Sequence, residues 1–140
     1  EPSITIINDA LYLSGNSSSG ASGNKTTESF GGYSDVWMLK LNKNNLSKIW
    51  EKSFGGVAYD RAYISFYDSE KELLVLGGMT NTSNSGTVDF QCYALEDGWI
   101  FYLDTNGNVI DQYNYGGTGQ EKVVGIYSYS KRPFATSEST

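Results

Sequence analysis

Apolar and polar positions alternate with period two along several stretches of the chain, and the alternation returns in phase. In "DVWMLKLN" (35–42), Trp37, Leu39 and Leu41 fall on one face with Met38 and Lys40 opposite. In "DGWIFYLD" (97–104), Trp99, Phe101 and Leu103 repeat the arrangement with Ile100 and Tyr102 opposite. Seven or eight residues at that period predict strands rather than helices. Displacing the chain on itself by about 61 residues aligns four blocks in succession. "LYLSG" (11–15) falls on "LVLGG" (74–78), and Asp35, Trp37 and Leu41 fall on Asp97, Trp99 and Leu103. "IWEKSFGG" (49–56) falls on "IDQYNYGG" (110–117), and "DRAYI" (60–64) on "EKVVG" (121–125).

The second and third blocks are joined by Asn/Gly-rich turns, 42–45 and 104–108, which suit hairpins between antiparallel neighbours. Gly55-Gly56 and Gly116-Gly117 permit a sharp bend after the third strand. A fourth strand is expected at about 61–67 and again at about 122–129. Four antiparallel strands per unit, repeated, predict an all-β chain built of β-propeller blades. The units are drawn at 8–68 and 69–129, with a partial strand at 130–140 where "RPFATSEST" resembles the start of another first strand. Residues 1–140 are thus read as a partial β-propeller domain, about two complete blades plus partial ones. Rings close with four to eight blades, so this reading makes the chain a fragment of a larger propeller, completed by remaining blades of the same polypeptide or by other chains.

The stretches "FGGYSDVWMLKLNKNNLSKIWEKSFGG" (30–56) and "EDGWIFYLDTNGNVIDQYNYGG" (96–117) resemble the reiterated unit of bacterial secreted β-propeller repeats. Asp111-Gln112 stands where that unit carries a Trp after Ile. The resemblance implies an extracellular or cell-surface protein, of the kind exported by type IX secretion with a C-terminal sorting domain. "LKLNKNNLSKIW" (39–50) is also similar, more weakly, to quinoprotein-like propeller repeats, and no cofactor site follows from it.

Composition narrows the partners. Ten basic against sixteen acidic residues give a net charge of −6, with no histidine, which argues against nucleic acid as the main partner. Cys92 is the single cysteine, so no internal disulfide forms, and no apolar run is long enough for a membrane span. Asn16, Asn24, Asn45 and Asn81 open N-glycosylation triplets, as an extracellular segment allows.

Candidate chemistry is sparse. Asp104 to Asn108 has alternating oxygen ligands, but Gly107 and Tyr115 stand at the wrong places for a calcium loop, so a turn is the stronger reading. Asp35 and Asp97 are expected to accept hydrogen bonds from loop amides. Cys92, in "DFQCYAL", is expected to be an inert thiol. No catalytic set and no cofactor are expected. The loops 16–34 and 79–97 are long, and long loops tend to carry function. In the second, Phe90, Gln91, Tyr93 and Glu96 offer aromatic rings beside amide and carboxylate groups, a set suited to a glycan or a protein partner. The plainer alternative tucks Phe90, Tyr93 and Leu95 under their own loop. The functional expectation is a non-catalytic recognition or scaffold segment. A portion of a propeller enzyme acting on glycans or using a quinone, and a structural accessory subunit of a secretion or surface complex, remain as alternatives.

Overall fold

A computed structural model describes residues 2–129 and 132–139, with side chains through residue 126. Residues 130, 131 and 140 of the expected partial strand lie outside the described residues. The described chain is all-β and contains no helix, hence none long and apolar enough to cross a membrane. Ten strands occur among the described residues: β1 (Ser3–Ile7), β2 (Ala10–Ser17), β3 (Asp35–Asn42), β4 (Lys48–Phe54), β5 (Asp60–Asp68), β6 (Leu73–Thr80), β7 (Asp97–Leu103), β8 (Val109–Tyr115), β9 (Glu121–Tyr129) and β10 (Arg132–Ser139). They form two four-stranded antiparallel sheets, β1-β2-β3-β4 and β5-β6-β7-β8, and a β9-β10 hairpin.

The sheets differ by one strand from the units drawn on the sequence. Residues 60–68, placed at the end of unit 8–68, pair antiparallel with β6 and so open the second sheet, as β1 opens the first and β9 the hairpin. A repeat in sequence has no intrinsic starting point, and only the hydrogen-bond ladder decides on which side a strand joins.

Register fixes the faces. In the first sheet Ile4, Leu13 and Leu39 lie in one row across the strands, with Ile6, Leu11 and Leu41 in the next and Gly15, Trp37 in a third. In the second, Leu76 and Phe101 form the row matching Leu13 and Leu39, Leu74 and Leu103 the next, and Gly78 and Trp99 the third. We call this the tryptophan face, and its reverse the opposite face.

The two sheets pack with unlike faces together. Tyr12, Val36, Met38 and Phe54, from the opposite face of the first sheet, share one core with Leu74, Leu76, Trp99, Phe101 and Leu103 from the tryptophan face of the second. Phe54 and Phe101 meet at 5.6 Å between ring centroids. The next interface repeats the rule: Val75, Ile64, Phe66, Ile100 and Tyr102 on the opposite face of the second sheet pack on Val123 and Ile126 of β9. Each such aromatic or aliphatic burial contributes about 1.5–3 kcal/mol, which makes this stacking the main source of stability.

Candidate functional site: the loop end of the sheets

The β2–β3 and β4–β5 connections of the first repeat, and the β6–β7 and β8–β9 connections of the second, emerge at the same end of their sheets because neighbouring strands are antiparallel. Each long loop begins with a small turn closed by a pair of facing residues, Ser22 with Lys25 and Ser85 with Val88. Gly23 and Gly86 sit at the same point of that turn, both at φ 59°, a conformation that favours glycine. The two loops, different in sequence, therefore start from one backbone form.

Their closing ends are tied down alike. Asp35 Oδ2 accepts the Phe30 amide at 2.9 Å and the Ser29 hydroxyl at 2.7 Å. Asp97 accepts the Tyr93 amide at 3.1 Å and the Asn114 side-chain amide at 2.7 Å. Both aspartates are buried and hold the loop onto the first residue of the following strand, as the sequence led us to expect. A second carboxylate from the next strand joins each: Asp60 Oδ2 accepts the Gly56 amide, and Glu121 Oε2 the Gly117 amide. Gly55, at φ 144°, passes between Asp35 and Asp60, where a Cβ would meet both carboxylates. A Cβ on Gly116 would collide with the Asp97 carboxylate and crowd that of Glu121. The glycines are thus demanded by the carboxylates packed on them as well as by the bend. Burial pushes the Asp60 carboxyl up, against hydrogen bonds from Thr80, Gly56 and Thr82 and together with the neighbouring Asp35 charge.

The tryptophans hold equivalent positions. Trp37 Nε1 donates to Glu51 Oε1 at 3.0 Å, and Trp99 Nε1 to Gln112 Oε1 at 3.1 Å, each across to the adjacent strand. Leu41 and Leu103 follow them on the same face. Burial raises the Glu51 carboxyl. Hydrogen bonds from the Thr26 hydroxyl and amide, Trp37 and Lys48 outweigh this and bring it down to about 2.

Of the residues singled out for binding, the structure separates Phe90 from the rest. Phe90 packs against the core beside Val88. Gln91 is a loop brace: its amide donates to Ser83 Oγ and its carbonyl accepts from Asn114. The Glu96 carbonyl accepts the Glu121 amide. Tyr93 stands outward, 70 % exposed, near Leu95 at 60 %. Cys92 is buried with its thiol on the Thr82 carbonyl; burial and the nearby Asp97 and Asp60 charges push its pKa up to about 11, so it is a poor nucleophile. Asp104 takes the amides of Asn106 and Asn108 and closes a turn.

Sequence reasoning missed the first loop's contribution. Tyr33 is 78 % exposed and lies beside Tyr59, ring centroids 6.2 Å apart, with the Arg61 guanidinium over Tyr59. Phe30, 40 % exposed, lines a cleft of about 680 Å³ with Glu28, Lys52, Phe54, Thr87 and Val109, between the two sheets. The only signal was positional, since Phe30 and Tyr93 both donate their amides to the loop-closing aspartate. Asn16, by contrast, is engaged: its side-chain amide exchanges two hydrogen bonds with the Ala62 backbone in the neighbouring sheet.

No protein-family model and no curated protein matches the chain.

Proposed function

We propose that the chain is a non-catalytic recognition or scaffold segment of an extracellular or cell-surface β-propeller, with the two stacked sheets as blades and remaining blades completing the ring. Its loop end binds a glycan or a protein partner. The observation that carries this reading is the pair of loops with one backbone start and different surfaces. Phe30, Tyr33 and Tyr59 are presented by one repeat and Tyr93 and Leu95 by the next. Large apolar rings held outward on braced loops lose little conformational freedom on binding and suit sugar stacking or protein contact. The unlike-face packing of successive sheets supports the blade reading, because such contacts continue indefinitely or close into a ring.

The test is a glycan array and a pull-down from surface material with the unaltered chain and with Tyr33→Ala and Tyr93→Ala. Binding that weakens about tenfold or more in either variant supports the loop end, and binding unchanged in both removes it.

A further inference from the structure

The contact between the two sheets has two parts, and the first sheet carries an unmatched copy of each. The first part is the tryptophan face. In the second sheet it is covered by the first, and Trp99, Phe101, Leu74, Leu76 and Leu103 are all buried. The equivalent face of the first sheet carries Trp37, Leu39, Leu41, Leu11 and Leu13, all half-buried, and at its edge Ile4 and Ile6 are 62 % and 59 % exposed. Contiguous apolar surface of this kind marks an interface.

The second part is the small loop turn. Ser85-Gly86-Thr87 docks on the Gly55-Gly56 bend of the preceding repeat. The Thr87 amide donates to the Gly55 carbonyl at 2.8 Å and the Gly55 amide to Thr87 Oγ1 at 2.8 Å. A Cβ on Gly86 would collide with the Gly55 carbonyl oxygen, and one on Gly56 with Thr82 and Ser85. Ser22-Gly23-Asn24 has the same turn, yet a Cβ on Gly23 meets nothing. Thr26 and Thr27, which follow the turn, bond to Glu51 and Ser53 in the rows of Leu39 and Trp37, and Val88 shares a core with Trp99, so turn and apolar face lie on one side of each sheet.

We infer that this side of the first sheet is a docking surface for one further repeat unit. Its occupant is a four-stranded sheet that lays a Tyr/Val/Met/Phe-type face on Trp37, Leu39 and Leu41 and offers a Gly-Gly bend to Ser22-Gly23-Asn24. A flat apolar partner without the glycine bend satisfies only half of the surface, because the turn approaches so closely that any side chain at the bend is excluded. The inference deepens the blade reading and rests on it for the existence of further units, but not on what the loop end binds.

The experiment uses the full chain and the same chain extended at its N-terminus by a second copy of residues 1–61, which keeps the repeat in phase. Single thiols are placed at Leu39→Cys and, separately, Ser22→Cys, on a Cys92→Ser background. Both are expected to label readily in the 140-residue chain and about tenfold or more slowly in the extended one. The added unit is expected to contribute strand signal in far-ultraviolet circular dichroism. Labelling at either site as fast as in the shorter chain overturns the inference, and so does an added unit that stays unfolded. X-ray scattering separates this from the larger reading: slow labelling in chains that assemble only into open stacks keeps the docking surface and refutes the ring.

Discussion

β3 and β7 carry the same alternation, but their tryptophans live differently. Trp99 is 1 % exposed and stacks on Phe101 at 4.2 Å between centroids, whereas Trp37 is half-buried on a face that only its own β2–β3 loop touches and no second sheet covers in the described chain. Their hydrogen bonds to the neighbouring strand are nearly identical. The strand and its ladder therefore come from local sequence, while burial comes from the neighbouring sheet. The loops teach the same lesson. Val88 fills the core from the second loop, while its counterpart Lys25 is buried with its ammonium on the Ser19 and Thr27 carbonyls, 2.9 and 2.6 Å away. One loop is built around an apolar side chain that reaches another sheet, the other around a charge satisfied within itself.

This contrast predicts unequal costs at equivalent positions. Phe101→Ala is expected to lower unfolding free energy by about 3–5 kcal/mol and Leu39→Ala by no more than about 1–2, measured by denaturant titration, because only the first leaves a closed cavity. Equal losses would break the comparison. Gly86→Ala, which adds a clash with the Gly55 carbonyl to an unfavourable backbone angle, is expected to cost clearly more than the roughly 1 kcal/mol of Gly23→Ala.

Acid should also distinguish the repeats. Glu51 is held at about 2, below its ordinary 4.5, so the ionised form favours the folded chain. That contribution is fully present above about 4.5 and fades as pH falls towards about 2. Gln112, at the matching place, has no such dependence. Glu51→Gln keeps an acceptor for Trp37 and is expected to flatten the fall in stability between pH 6 and 3, read by urea unfolding at each pH. The smallest effect is expected for Tyr33→Ala, within about 0.5 kcal/mol of the unaltered chain, since its ring is in solvent.

The strands were legible because Trp37-Leu39-Leu41 and Trp99-Phe101-Leu103 alternate cleanly and because the Asn/Gly turns and loop-closing aspartates have short-range causes. The membership of residues 60–68 was not, since it depends on pairing to β6 rather than on pattern. Phe90, Tyr93 and Leu95 could be read either as a binding set or as rings tucked under their own loop, and the structure divides them, with Phe90 turned inward beside Val88 and Tyr93 and Leu95 exposed. The shared backbone of the two loops was hidden because only Ser-Gly is common to their turns, and Tyr33 pairs with Tyr59 across a connection that sequence distance conceals.

The stacking of the repeats rests on one contact, the loop turn of the second docked on the bend of the first. Amide hydrogen exchange read by nuclear magnetic resonance tests it most directly at Thr87 and at Asn24, its counterpart in the open turn. The Thr87 amide, bonded to the Gly55 carbonyl, is expected to be protected and the Asn24 amide to exchange rapidly. Thr87 and Asn24 exchanging at the same rate would contradict it.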